Sequence, residues 1–138
     1  MKLYTVGYGG RTPEEFLRLL ADGGIRAVVD VRLRPDRSSM ATYVKAKDPH
    51  KGIEGWLSRA GVQYFSFIEL GNLFLEFDHW QSRYRNLMER AGDLLTQRLR
   101  KVPPPFCLMC AEKSADRCHR AIIASYLAER GYEAEHLE

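Results

Sequence analysis

The sequence predicts an α/β fold in which helices cover both faces of a mostly parallel β-sheet. Short β-favouring segments alternate along the chain with segments whose apolar residues follow a helical period. Two of the β segments, residues 27–32 and 106–111, are apolar almost throughout, as expected of strands buried on both faces. The length of 138 residues suits one such unit, so we assign residues 1–138 to a single domain.

The first strand and the first helix are well marked. Residues 3–7 are apolar and β-favouring, and they lead into a glycine-rich turn at 7–10. A helix begins directly after this turn, because Thr12 is a good N-cap and Pro13 suits the first helical position. Glu15 then completes a capping box with Thr12. The segment therefore predicts a strand, a tight turn and a helix in succession.

The middle of the chain contains its least regular stretch. Residues 33–52 show no clear period and carry prolines, serines and several basic residues, so we expect a long, basic and mobile loop. A short helix at 54–60 and a third strand at 62–68 follow. Basic groups interleaved with the aromatic residues Tyr43 and Trp56 would suit single-stranded nucleic acid. A solvated loop without a partner is the alternative.

The last part of the chain completes the alternation of strands and helices. Helices are predicted over 80–100 and 117–130, with strands at 106–111 and 134–137. The apolar stripe expected for the first of these helices is Tyr84, Leu87, Met88, Leu94, Leu95 and Leu99. The order β-α-β-α-β-α-β-α-β predicts a three-layer α/β/α architecture of the Rossmann or flavodoxin type, with about five mostly parallel strands.

Residues suited to chemistry follow the carboxyl ends of the predicted strands. The segments are Gly7 to Arg11, Asp30 to Arg32, Glu69 to Asn72 and Cys110 to Glu112. Ligands of open α/β sheets bind at this edge, so we expect the four segments to form one site. The residues expected to bind the substrate there are Gly7, Tyr8, Arg11, Asp30, Arg32, Gly71 and Arg120.

Two cysteines flank the loop that follows the fourth strand. Cys110 is expected at the strand tip, before a helix whose N-terminus would lower the pKa of a thiol, which makes it a candidate nucleophile. A buried apolar role is its alternative. Cys118 and His119 fall in the first turn of the predicted last helix, as a second candidate thiol and a candidate acid–base group. Glu112 completes the candidate catalytic set, and Arg120 would bind an anion.

The third cysteine is expected in the core. Cys107 and Cys110 lie three residues apart in a strand, so their side chains should point to opposite faces of the sheet. An odd number of cysteines in a chain without an export signal favours reduced thiols. A metal site on Cys110, Cys118 and His119 is a weaker alternative, because no second tight Cys/His pair is present. We otherwise expect no cofactor.

Charge and hydropathy restrict the expected partners and location. The net charge of +3 is small, but basic residues are concentrated between Arg26 and Lys51, which favours an anionic partner. Asp30 and Arg32 share one face of their strand and either pair with each other or present their charges to the site; we favour the second interpretation. The absence of a long apolar run and of a signal peptide predicts a cytoplasmic protein with no membrane partner.

Several motifs together resemble the DUF488 family. They are Thr5-Val6-Gly7-Tyr8, Asp30-Val31-Arg32-x-x-Pro35, Leu70-Gly71, and the pair Cys110-Ala111-Glu112 and Cys118-His119-Arg120. Family members usually read Gly-His-Ser after the first strand, where this chain reads Gly7-Tyr8-Gly9. The resemblance implies a shared site made of Asp30, Arg32, Cys110, Glu112, Cys118, His119 and Arg120. The family name denotes unknown function, so the resemblance implies no reaction.

The residues predict a small cysteine-dependent enzyme, a hydrolase or transferase, that acts on an anionic substrate containing a phosphate or nucleotide group. One alternative hypothesis is a nucleic-acid-associated module that binds through the basic loop at 32–51. Another is the metal site on the two cysteines and the histidine.

Overall fold

The computed structural model describes residues 1–138, and a five-stranded, all-parallel sheet forms its centre. The strands lie in the order β3-β2-β4-β1-β5, so β4 is central, between β1 and β2. This confirms the predicted parallel sheet of about five strands. The strands are β1 (Lys2–Gly7), β2 (Ala27–Asp30), β3 (Gln63–Ser66), β4 (Phe106–Cys110) and β5 (Glu133–Leu137).

Helices cover both faces of this sheet, which confirms the three-layer α/β/α architecture. The α-helices are α1 (Pro13–Asp22), α2 (Gly52–Arg59), α3 (Trp80–Leu95) and α4 (Arg120–Ala128). Side chains of α1 and α2 join one apolar cluster, and those of α3 and α4 join the other. None of the helices has both the length and the apolar character needed to cross a membrane.

Alternate residues of the central strand enter the two apolar clusters. Leu108 and Cys110 lie in the cluster with α3 and α4, whereas Cys107 and Met109 lie in the cluster with α1 and α2. Burial on both faces explains why this strand is apolar throughout its sequence. Cys107 is fully buried, so its predicted core position is confirmed, and it faces away from Cys110.

The sequence correctly predicted where the first helix begins, but not where the third helix ends. The predicted capping box is present: the Glu15 amide donates to Thr12 Oγ1 and the Thr12 amide donates to Glu15 Oε1, each at 3.1 Å. The helix predicted over 80–100 ends at Leu95, and a 3₁₀ turn follows at Gln97–Lys101. Leu94 is 70% exposed, so its predicted place in the core stripe is wrong.

The basic stretch after β2 is anchored to the fold, contrary to the expectation of a mobile loop. Tyr43, in the 3₁₀ turn Ala41–Tyr43, is fully buried, and its hydroxyl donates to the carbonyl oxygen of Arg11 at 2.9 Å. The Tyr43 ring stacks on the Tyr8 ring, with centroids 4.3 Å apart. Trp56 is half-buried and donates to the Thr42 carbonyl. The nucleic-acid hypothesis therefore loses its stacking platform, because Tyr43 packs inside the core.

Candidate active site

A cleft of about 600 Å³ lies at the carboxyl edge of the sheet. Segments that follow β1, β2, β3 and β4 all contribute to its walls, so the four predicted segments do meet. The strand order brings the tips of β1, β4 and β2 side by side at its centre. Predicted site residues on its walls are Tyr8, Arg32, Cys110, Glu112, Cys118 and His119.

The tip of β1 is joined tightly to the loop that follows β4. Gly7 lies beside Cys110 in the sheet, and the Tyr8 amide donates to the Cys110 carbonyl at 3.0 Å. A Cβ atom on Gly7 would overlap the carbonyl oxygen of Glu112, so only glycine fits this position. Gly7 thus contributes to the site by allowing close approach of two chain segments, and its own atoms do not line the cleft.

The two cysteines predicted for the site form a disulfide. Cys110 and Cys118 are both buried, their Cα atoms are 7.4 Å apart, and their sulfur atoms are bonded to each other. The expectation of reduced thiols is therefore wrong for this pair, and it is confirmed only for Cys107. The pairing was missed because the odd cysteine count argued against a disulfide, although the two residues flank one loop.

The buried side chain of Arg120 contacts the sulfur of Cys110. Nη1 of Arg120 donates to Cys110 Sγ at 3.0 Å and to the Glu112 carbonyl at 2.5 Å, and Nη2 donates to the Lys113 carbonyl at 3.1 Å. The side chain is fully buried, its Nε has no partner, and it forms no ion pair. Burial lowers the pKa of this guanidinium. Among its contacts, only the Cys110 sulfur can become an anion.

His119 contacts the second cysteine. Its Nε2 lies 2.8 Å from the carbonyl oxygen of Val31, which can only accept a hydrogen bond, so Nε2 carries a proton. Nδ1 lies 3.6 Å from Cys118 Sγ. Burial lowers the pKa of the imidazole, which favours the neutral ring at pH 7 with a lone pair on Nδ1. When the disulfide is reduced, His119 is therefore placed to take a proton from Cys118 rather than from Cys110.

The last helix begins three residues later than predicted. A 3₁₀ turn occupies Ala115–Arg117, Cys118 has an extended backbone with φ −128° and ψ 144°, and α4 starts at Arg120. Ser114 and Asp116 bond to each other instead of capping α4. Cys118 and His119 both line the cleft, His119 also contacts the Val31 carbonyl just after β2, and Arg120 contacts Cys110.

At the tip of β2, Asp30 and Arg32 pair with each other. The carboxylate of Asp30 is fully buried and accepts from Arg32 Nε at 2.9 Å and from Arg32 Nη2 at 2.7 Å. The Tyr64 hydroxyl donates to the same carboxylate at 2.5 Å. The favoured interpretation, in which both charges face the site, is wrong for Asp30, because bidentate pairing satisfies the carboxylate away from the cleft.

Of three further residues predicted for the site, one lines the cleft and two lie outside it. Tyr8 lines the cleft, and its hydroxyl lies 2.9 Å from Ser38 Oγ and accepts from Arg32 Nη1 at 3.2 Å. Arg11 donates through Nε to the Gly7 carbonyl at 2.9 Å and does not line the cleft. Gly71 packs against Leu33, where a Cβ would lie 2.6 Å from the Leu33 Cα, and it also lies off the cleft.

Other residues that complete the cleft were not selected from the sequence. Arg34, Arg37 and Arg117 bring three exposed guanidinium groups to its walls. The segment after β3 adds exposed apolar side chains, which we call the apolar rim: Leu73, Leu75 and Phe77. The basic character of residues 32–51 indicated Arg34 and Arg37 but not Arg117, and the rim follows the Leu70-Gly71 motif without a distinctive pattern of its own.

The metal hypothesis lacks a ligand set in this arrangement. No group of three or more His, Cys, Asp and Glu side chains is placed to hold a metal ion. His119 directs Nε2 to a backbone carbonyl, and Cys110 and Cys118 bond to each other, so these three residues do not converge as ligands.

The fold and site define a parallel α/β/α domain with a cysteine pair at the tip of its central strand. The model of the DUF488 family, described as a domain of unknown function, matches residues 12–127, and the chain belongs to this family. The resemblance inferred from the motifs is thereby confirmed. No curated protein and no solved structure matches the chain significantly.

Proposed function

We propose that this protein is a cysteine-dependent enzyme, a hydrolase or transferase, in which reduced Cys110 attacks a small anionic substrate. The observation that carries the proposal is the 3.0 Å contact between the buried guanidinium of Arg120 and Cys110 Sγ. The disulfide to Cys118 must be reduced before Cys110 can act as a nucleophile, since the thiolate is the reactive form.

The electrostatics of Arg120 favour a thiolate at Cys110. A buried charge without an opposite partner costs several kcal/mol, and Arg120 has only two carbonyls and one sulfur as partners. A cation within about 4–6 Å lowers the pKa of an acidic group by about 1–3 units. The guanidinium contact therefore acts to stabilise the thiolate form of reduced Cys110, against the opposing effect of burial.

The cleft walls supply the attraction for an anion. Arg37 and Arg117 are exposed there and form no ion pair, whereas Arg34 pairs with Asp36 at the surface. Exposed cations that line a concave surface raise the local concentration of anions and the rate of encounter. These side chains line the same cleft as the cysteine pair, so an anionic group attracted by them would be held in the cleft that contains the nucleophile.

The chemistry that this arrangement supports is covalent group transfer. The Cys110 thiolate donates an electron pair to the electrophilic atom of the substrate, and the leaving group departs with the pair of the broken bond. Transfer of the bound group from sulfur to water makes the enzyme a hydrolase; transfer to another acceptor makes it a transferase. The neutral His119, with its lone pair on Nδ1, can take a proton from the incoming acceptor.

Alkylation of Cys110 against pH tests the nucleophile. In a reduced Cys118→Ser variant, we expect iodoacetamide to modify Cys110 with a midpoint below the free-thiol value of about 8.5. Arg120→Met should return the midpoint to the free-thiol value, with Arg120→Lys between the two. The ultraviolet absorbance of the thiolate in the Cys118→Ser protein gives the same midpoint without altering Arg120. A midpoint at or above the free-thiol value would remove the nucleophile.

The charge of the alkylating agent tests the anion preference. We expect negatively charged iodoacetate to react faster, relative to neutral iodoacetamide, than it does with a free thiol. Arg117→Gln and Arg37→Gln should each reduce this ratio about two- to fivefold at low salt, because each removes one exposed cation from the cleft. Arg26→Gln is the matched control, since Arg26 is exposed but lies just before the start of β2. Equal ratios in all three variants would contradict anion attraction by the cleft.

A further inference from the structure

The two cysteines of the cleft each have their own activating group. Arg120 contacts Cys110 through its guanidinium, and His119 directs an unprotonated Nδ1 toward Cys118. The backbone amide of Arg120 also donates to Cys118 Sγ at 3.5 Å. A single-nucleophile mechanism uses Arg120 with Cys110, and His119 as a proton acceptor, but gives Cys118 no role. The position of Cys118 beside His119, together with the sulfur–sulfur bond, has to be explained separately.

We infer that Cys118 is a resolving cysteine, and that the site reduces small anionic disulfides by a two-cysteine cycle. The inference rests on the proposed function, because Cys110 remains the attacking thiolate. It also restricts that function to transfer between sulfur atoms. The bond between Cys110 and Cys118 is then the oxidised product of the cycle.

The first step forms a mixed disulfide. The Cys110 thiolate attacks one sulfur of a substrate disulfide, a new bond forms between Cys110 and that sulfur, and the other half of the substrate leaves as a thiolate. This step consumes no proton. The cationic cleft walls favour a substrate with acidic groups, and the guanidinium of Arg120 keeps the attacking sulfur ionised.

The second step forms the disulfide that the structure contains. The Cys118 thiol gives its proton to Nδ1 of His119, and its sulfur attacks Cys110. The Cys110–Cys118 bond forms as the bond to the substrate sulfur breaks, and the second substrate half leaves as a thiolate. Two equivalents of a small external thiol then restore the pair by exchange and are themselves oxidised to a disulfide. Two electrons have passed from external thiol to substrate.

The apolar rim defines the remaining part of the substrate. Leu73, Leu75 and Phe77 are exposed and border the same cleft as Arg37 and Arg117. Large apolar side chains exposed together beside a polar site offer contact area to a ligand. The combination matches a disulfide that carries carboxylates or other acidic groups on an aromatic or apolar body.

The number of thiolates released from a coloured disulfide tests the resolving role. The probe is dithiobis(nitrobenzoate), an aromatic disulfide with two carboxylates. Reduced wild-type protein should release two nitrothiobenzoate anions per chain and retain none. Cys118→Ser should release one and retain the other on Cys110. The fully buried Cys107 does not contribute in the folded protein.

The outcomes separate this inference from the proposed function. If wild-type protein keeps nitrothiobenzoate on Cys110, the resolving role is wrong while the nucleophile stands. If Cys110 has the acidity of a free thiol, the nucleophile and the cycle both fail. Multiple turnovers with a small thiol as reductant are expected only while both cysteines are present.

A second substrate tests the preference for a negatively charged disulfide, and two surface substitutions test the role of the apolar rim. The cationic disulfide cystamine should react at least tenfold more slowly than the anionic probe at low salt, and equal rates would overturn the substrate class. Phe77→Ser should slow the reaction with the aromatic probe several-fold. Leu94→Ser is its control, because Leu94 is also an exposed apolar side chain, 70% exposed against 56% for Phe77, but lies on α3 outside the cleft. An equal effect of both substitutions would exclude the rim from binding.

Discussion

Strands β2 and β4 both end beside a buried arginine, but the two guanidinium groups are compensated in different ways. At β2, Arg32 forms a bidentate ion pair with Asp30. At β4, Arg120 is fully buried and contacts the Cys110 sulfur and two carbonyls, with no carboxylate. The charge at β2 is satisfied within the folded structure, whereas the charge at β4 has no carboxylate partner, and in the proposed function it stabilises the Cys110 thiolate.

The largest expected effect comes from breaking the pair at β2. Asp30→Asn leaves Arg32 buried without a carboxylate, and we expect the free energy of unfolding to fall by about 3–5 kcal/mol, as measured by urea denaturation. The control is Asp36→Asn, which breaks the exposed pair with Arg34 and should cost about 0–1 kcal/mol. Similar losses in the two variants would mean that the buried pair does not hold the β2 tip together.

The next effect concerns the disulfide at β4. Closing the short loop between Cys110 and Cys118 restricts the unfolded chain, and the loop-entropy relation gives about 2–3 kcal/mol for a loop of this length. Dithiothreitol should therefore lower the free energy of unfolding of the wild-type protein by that amount. Cys118→Ser should show no response to the reductant, because Cys107 is free and buried. A response that persists in this variant would contradict the assigned pairing.

The smallest expected effect is the pH dependence caused by His119. Burial lowers its pKa in the folded protein, so below pH about 6.5 the unfolded chain binds protons more readily than the folded chain. Stability is then fully present above that pH and declines as the pH falls below it, by at most about 1.4 kcal/mol per pH unit for one histidine.

Urea denaturation of wild-type protein and His119→Gln between pH 5 and 7 measures this contribution. The variant should lose less stability on acidification than wild type. Some slope should remain, because burial also lowers the pKa of His136. His136→Gln is the matched comparison, and because His136 is less buried it should flatten the profile less. Identical profiles for wild type and His119→Gln would mean that His119 is not held neutral.

Local patterns predicted the elements well wherever neighbouring residues decide the structure. The Thr12 capping box and the apolar runs of β2 and β4 depend on interactions within a turn or on burial of both faces. The sequence predicted the structure less well where contacts between residues far apart in the chain determine the conformation. The position of Tyr43 is set by contacts with Tyr8 and Arg11, which lie more than thirty residues earlier. Because these contacts are not local, the sequence around Tyr43 shows no helical or strand period.

The amino-acid sequence by itself determined the alternating elements, the parallel sheet and the group of segments at its carboxyl edge. Only the tertiary structure decided how the charges and sulfurs of those segments pair. Arg32 and Arg120 are both arginines beside strand ends in the sequence, and what distinguishes them is which groups lie within 3 Å. Those distances depend on strand order and on packing between residues far apart in the chain, which composition and spacing do not encode directly.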